Sequence, residues 1–299
     1  QRLGKTLWTD KKGGDKIHIK PSWDSFQEAR WIAEEIETLQ RQKVSLNTIA
    51  ILVRSGYQTR EFEECFTSIA IPYRIIGGVK FYERQEVRDA LAYLRLAVQP
   101  QDGLAFDRVI NKPKRGIGDV SLQKIHKLSR DVGCSLFDAS KQLIVTDELG
   151  TKAKAQLSHF IDLINQWHEN YETQGLTTFV EDVLENSGYL EMWRKDRSAE
   201  SLGRIENLKE LVNAIAEFPD LPSFLEHISL IMDAAQDALY ESVVIMTMHS
   251  SKGLEYEYVF LAGWEEGVFP SQRLNFESQT DIEEERRLAY VGLTRAKTR

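Results

Sequence analysis

VVIMTMHSSKGLEYEYVFLAG, residues 243–263, places a polar connector between two of the most apolar short runs in the chain. Runs rich in Val, Ile and Phe and bounded by polar residues predict buried strands. The connector, HSSKGLE (249–255), then joins two core strands. In open parallel sheets, ligands bind beyond the carboxyl ends of the strands. His249 directly follows a strand, so the loop belongs to that edge. Gly253 permits a tight turn or a close backbone approach, and Glu255 can accept from a hydroxyl such as that of ribose. An ordinary solvated connector with an exposed Lys and Glu fits the spacing equally well. A phosphate-cradling GxxxxGK[ST] loop occurs nowhere in the chain.

Upstream, residues 16–82 alternate in the same manner. KIHI (16–19) predicts a strand. Ser25 and Glu28 hold capping-box spacing ahead of an amphipathic helix to about Gln40. IAILVR (49–54) predicts a strand, 58–69 a helix, and PYRII (72–76) a strand closed by Gly77 and Gly78. Alternating strands and helices imply a parallel sheet covered on both faces. From Arg84 to about Tyr240 the strand signal disappears, and Val87, Ala90, Leu91, Leu94 and Val98 keep helical spacing. Breaks fall at 99–103, around 147–151, at 173–176 and at 219–222. A last helix is expected over 283–297. Neither α/β stretch supplies a full sheet, but together they give about five strands, a usual size. The expectation is one parallel α/β domain (1–83 and 241–299) interrupted by an inserted all-helical domain (84–240).

The composition, 42% hydrophobic and 28% charged over 299 residues, is that of a globular protein, and the net charge of −8 does not advertise a nucleic-acid or membrane partner. Cys65 and Cys134 lack metal-ligand spacing and suit a reducing, cytoplasmic compartment. The histidines show no ligand spacing, so no metal site is expected. No run is long enough to span a membrane, and no signal-peptide pattern opens the chain. Beginning at Gln1 and ending at Arg299, at or just past a helix, the chain has the character of an excised piece.

Two further stretches bear on chemistry. In EEERRLAYVGLTRAKTR (283–299), Glu283 and Arg287 are an i,i+4 pair in the favourable order. At 100° per residue Arg295 points between Leu288 and Val291, on the apolar stripe. It either snorkels at the helix end, where the dipole favours it, or aims a guanidinium at a phosphate. RVINKPKRGIGDVSLQKIHKLSR (108–130) carries Arg108, Lys112, Lys114, Arg115, Lys124, Lys127 and Arg130 against the single acid Asp119, a local excess in an acidic chain. Gly116 and Gly118 lie between two helical patterns, where successive backbone N–H groups can meet one phosphate. The stretch resembles the hairpin of helix-hairpin-helix DNA-binding modules, although a glycine turn with a solvated basic face has the same composition.

Taken together, these stretches resemble the UvrD/Rep/PcrA family of superfamily 1 DNA helicases. The likeness runs in order through RLGKTLWT (2–9), PYRIIGGVKFYERQEVRDALAYLRL (72–96), KPKRGIGD (112–119), MTMHSSKGLEYEYVFLAGWEEGVFPS (246–271) and EEERRLAYVGLTRA (283–296). The last two look like helicase motifs V and VI. The resemblance implies the C-terminal half of such a helicase: the second RecA-like domain with its helical insertion. It further implies that Thr247, His249 and Arg54 face single-stranded DNA, that Gly253 and Glu255 face the nucleotide, and that Arg295 contacts the γ-phosphate. Lys114 and Arg115 would flank the grip of Gly116 and Gly118 on duplex DNA.

Implied partners are ATP with Mg2+, bound only together with an N-terminal half, single-stranded DNA and its junctions with duplex, and repair or replication proteins. The phosphate-binding and metal-binding motifs of such helicases precede Gln1, so no ATP hydrolysis is expected of this stretch alone. Relatives usually carry an asparagine where Gly56 stands. A non-motor hairpin module and the helicase part of a helicase–nuclease subunit are the alternatives; the former accounts only for 108–130.

Overall fold

A computed structural model describes residues 15–198, 200–234, 241–270 and 279–299. The RLGKTLWT stretch and the expected boundary at 240 lie outside them. In chain order come α1 (Ser25–Arg41), β1 (Ile49–Val53), α2 (Thr59–Ser68) and β2 (Tyr73–Ile76). A helical series follows: α3 (Gln85–Val98), α4 (Gly103–Val109), α5 (Asp119–Val132), α6 (Leu136–Ile144), α7 (Thr151–Asn170), α8 (Leu176–Asn186), α9 (Tyr189–Lys195), α10 (Ser201–Ala216) and α11 (Leu221–Ala234). The chain then forms β3 (Val243–Thr247), β4 (Tyr258–Leu261) and α12 (Gln279–Leu293). Of the described residues, 15–80, 241–270 and 279–299 belong to one compact unit and those of 81–234 to a second. Phe81 and Tyr82, grouped with the sheet by the expected boundary at 83, are buried in the helical core.

The sheet has the order β2-β3-β1-β4, with every pair parallel. β3, reached only after the helical unit, fits between β1 and β2, pairing Ile245 with Ile51 on one side and Ile75 on the other. Ile49, Ile51, Val53, Val243 and Ile245 pack with Ile32, Ile36, Phe62 and Phe66 of α1 and α2. Ala50, Leu52, Val244 and Met246 pack on the opposite face with Phe269 and with Leu288 of α12. This period-2 division of an all-apolar run gives a parallel sheet covered by helices on both faces.

Three local expectations change. KIHI (16–19) is not a strand: Ile17 and Ile19 are 72% and 91% exposed, and among the described residues the sheet has four strands. Alternation specifies two faces, but a strand also needs a neighbouring backbone. The described contact of the segment with such a neighbour is Asp15 N–H donating to the Thr298 carbonyl at 3.3 Å. The cap of α1 is Asp24 rather than Ser25: its carboxylate accepts the Gln27 N–H at 2.7 Å, while Gln27 Oε1 accepts the Trp23 N–H at 2.8 Å. Gln27 thus reaches the residue before the cap rather than the cap's own N–H, so the reciprocal box that the Ser25–Glu28 spacing suggests is replaced by an Asp24 cap with an adjoining Gln27–Trp23 bond. α12 ends at Leu293, not 297. The next residues pair with the chain leading into β4, Tyr256 N–H donating to the Arg295 carbonyl at 2.9 Å and Lys297 N–H to the Tyr256 carbonyl at 2.8 Å.

In the helical unit, α3 is buried on nearly every side. Its two buried acids are paired. Asp89 meets Lys112 Nζ at 3.1 Å, the Tyr189 hydroxyl at 3.2 Å, and Arg108 Nε at 2.7 Å, at an angle that makes an ion pair but no hydrogen bond. Glu86 accepts from the Asn207 amide at 2.6 Å. Among the described residues, no helix is long and apolar enough to cross a membrane.

Ile245, fully buried between two strands and against α1 and α2, tests the sheet. Ile245→Ala is expected to lower stability by about 3 kcal/mol, read as a shifted urea midpoint. A loss below about 1 kcal/mol would contradict a core position for β3.

Candidate functional site

The strand ends bring the first group of residues together. Val53 pairs with Thr247, so Arg54 and the 248–250 turn emerge side by side at the carboxyl edge. The turn is internally bonded: the Thr247 hydroxyl accepts the Ser250 N–H at 3.2 Å, and the buried Ser251 donates its hydroxyl to the Met248 carbonyl at 2.7 Å. The end of β2 closes on it tightly, since a Cβ at Gly77 would lie 2.6 Å from Ser250 Oγ.

Arg54 is half-buried and not free. Its Nε and Nη2 donate to Glu285 of α12 at 3.0 and 2.7 Å, and Glu285 is only 4% exposed. The backbone N–H groups of Arg54 and Ser55 both donate to Gln58 Oε1, at 2.9 and 2.8 Å. His249 is exposed at its surface but flanked by this pair. Partial burial, and then the Arg54 charge, lower its pKa, against weaker opposing effects of Glu285 and Glu284.

Sequence reasoning missed Glu285 and Gln58. It also paired Glu283 with Arg287, whereas Glu283 meets Arg286 at 2.6 Å. One signal for Glu285 was available: it lies three residues before the buried Leu288, and an acid on an apolar stripe needs a partner.

The second group sits at the far end of the loop. Gly253 has φ +88°, and a Cβ there would meet nothing within 4 Å, so the backbone conformation, not space, favours glycine. Arg295 lies beyond the helix, and the wheel that put it on the apolar stripe does not apply. Its guanidinium donates to the Leu254 carbonyl (Nη1, 2.9 Å), the Val291 carbonyl (Nε, 2.9 Å) and the Thr294 hydroxyl (Nη2, 2.9 Å). All three acceptors are neutral, and among the described residues no carboxylate pairs with it. Two of its five N–H donors stay available for an anion. Glu255, exposed, has Lys297 Nζ 3.7 Å away. The arrangement suits a polyphosphate: a held, uncompensated guanidinium with an exposed carboxylate one residue from its Leu254 anchor.

The hairpin of the helical unit, described by itself, divides its cations. Arg108 and Lys112 are held by Asp89. Arg115 turns inward, donating to the Val109 and Ser187 carbonyls at 2.8 and 3.0 Å and to the Tyr93 hydroxyl at 2.8 Å, with its guanidinium 4.5 Å from the Phe160 ring centre. Burial pushes Tyr93 up to about 12, so its neutral hydroxyl can donate to the Lys112 carbonyl while accepting from Arg115. Lys124 donates to the Glu148 carbonyl. Among the described residues, Lys114, Lys127 and Arg130 make no ion pair.

Gly116 has φ +79°. Gly118 caps α5 with ordinary φ, and a Cβ on it would meet nothing within 4 Å. The interior therefore does not demand glycine at 118, which leaves the backbone there open to close approach from outside.

The whole chain, residues 1–299, matches the family described as the UvrD-like helicase C-terminal domain, and it belongs to that family. It is similar, at 49% identity over 300 residues, to a probable DNA helicase II homolog of Rickettsia felis, covering 99% of this chain and 46% of that protein. It is 40% identical to DNA helicase II of Escherichia coli and 37% identical to the ATP-dependent DNA helicase PcrA of Staphylococcus epidermidis, covering 42% of each. The chain thus spans less than half the length of these relatives.

Two measurements check this geometry. Arg115→Ala is expected to destabilise the helical unit by about 3 kcal/mol through lost charged hydrogen bonds, whereas Lys114→Ala stays within about 0.5 kcal/mol; equal urea midpoints would contradict the inward placement. By NMR, His249 is expected to titrate below the ordinary imidazole range, and Arg54→Met to move it upward. A folded value below the unfolded one means stability present at neutral pH and lost as pH falls below that range. Titration at or above the ordinary value would contradict the reading.

Proposed function

We propose that this chain is the second RecA-like half, with helical insertion, of an ATP-dependent DNA helicase that moves 3′ to 5′ in repair or replication, working in the cytoplasm. The observation that carries this reading is the anchoring of HSSKGLE at both ends. One end leaves β3 beside Arg54 and the Arg54–Glu285 pair. The other is gripped at the Leu254 carbonyl by Arg295. Seven residues therefore tie a strand-end surface to a guanidinium suited to phosphate.

In this reading Thr247, His249 and Arg54 hold single-stranded DNA. Gly253 and Glu255 line the nucleotide, with Glu255 near the ribose, and Arg295 stabilises charge on the γ-phosphate. ATP with Mg2+ is bound only where this chain meets the rest of the protein. Lys114 and the backbone at Gly116 and Gly118 hold duplex DNA ahead of the junction, while Arg115 positions the hairpin from within. The ATP-dependent relative in Staphylococcus epidermidis supports the assignment. A non-motor hairpin module would leave the Arg295–Leu254 contact without a use.

Arg295→Ala in the full-length protein is expected to reduce DNA-stimulated ATP hydrolysis at least about 100-fold, with affinity for tailed DNA held within about threefold. Unchanged turnover would remove Arg295 from the nucleotide site.

A further inference from the structure

The hairpin forms one wall of an open cleft of about 640 Å³ within the helical unit. α7 forms a second wall, from which Lys152, Gln156 and His159 face the cleft at spacings of four and three residues, one side of a helix. Asn186, the last residue of α8, stands at a third. No Asp or Glu lines the cleft, although acids outnumber bases in the chain as a whole. Lys114 and Lys152 make no ion pair among the described residues. Arg115 is also part of the lining, and its hydrogen bonds go to neutral oxygens, leaving its charge uncompensated there. Lys152 reaches the glycine turn itself: its Cε lies 3.8 Å from where a Gly116 Cβ would stand. Three cations, two amides and an imidazole around an acid-free cleft match a repeating anion with oxygen acceptors.

We propose that the helical unit holds duplex DNA through this cleft, with Lys152 and His159 of α7 as phosphate contacts opposite Lys114, rather than along the outer face of α5. The ligand is the phosphodiester backbone. Leu163 and Pro113 contribute apolar lining between the polar groups, and the open, cation-lined cleft suits a backbone passing through rather than an enclosed nucleotide. Lys127 and Arg130, the other unpaired cations of the basic stretch, do not line it. This inference rests on the proposed duplex-binding role of the hairpin and names the surface that performs it.

The test is fluorescence anisotropy of the full-length protein on a duplex with a 3′ single-stranded tail, and on the tail strand alone, over a series of salt concentrations. Lys152→Ala/His159→Ala is expected to weaken the tailed duplex about tenfold and to reduce the log–log salt slope by about one to two. The tail alone should be bound within about twofold of the parent, with an unchanged urea midpoint. Lys127→Ala/Arg130→Ala is expected to leave both affinities unaltered. A loss confined to the Lys127→Ala/Arg130→Ala variant would overturn the cleft while leaving duplex binding by the hairpin standing. No loss in either variant, nor in Lys114→Ala, would overturn the cleft and the duplex-binding role together, and would point to an acidic protein partner.

Discussion

The fold depends on β3 closing the gap between β1 and β2. Those two strands are neighbours in sequence, yet they do not pair with each other; each hydrogen-bonds to a strand that arrives after the entire helical unit. Without β3, the inner edges of both strands would carry unpaired backbone groups. Val243, Val244, Ile245 and Met246 are at most 1% exposed, and burial of such side chains contributes about 2 kcal/mol each. The same closure sets the carboxyl edge of the sheet, because Arg54, the 248–250 turn and Gly77 meet only when all three strands end together.

Charge then distinguishes the two arginines that flank the HSSKGLE loop. Arg54 faces a carboxylate buried among apolar side chains, and such a carboxylate is costly without a cation. The pair fixes α12 against the end of β1. Arg295, which follows the same helix, meets only neutral oxygens. Its charge is held in position but not neutralised, the condition in which a guanidinium can respond to an arriving phosphate. The helix and the HSSKGLE loop thus share both anchors, giving a short mechanical path between the strand-end group at Arg54 and the guanidinium of Arg295.

In the helical unit, a positively charged sequence is not the same thing as a positively charged surface. Arg108 and Lys112 hold a buried Asp89, and Arg115 fastens the hairpin to Tyr93 and Ser187. These contacts rigidify the Gly116 turn. Surface charge beside the turn comes instead from Lys114 and from Lys152, which belongs to another helix.

The strand runs at 49–53 and 243–247 and the succession of helices between them were readable because a buried parallel strand must be continuously apolar, and because helix breaks carry Gly, Pro and polar residues; 73–76, a partly exposed edge strand carrying Arg74, was marked instead by the glycines that close it. The motifs within HSSKGLE and EEERRLAYVGLTRA were likewise evident as chemistry out of place beside core segments. Alternation at 16–19 misled, since a side-chain pattern does not supply a backbone partner. The helix wheel misplaced Arg295, because it fails once residues 295–299 pair with the chain at the start of β4. The sequence by itself determined which segments are buried and which residue types can carry phosphate chemistry, through local hydropathy and glycine placement. Only the tertiary structure decided that Glu285 holds Arg54, that Arg115 turns inward, and that Lys152 stands at Gly116. Each is a pairing between residues distant in the chain, and electrostatic partners are chosen by proximity in space, which local sequence does not encode.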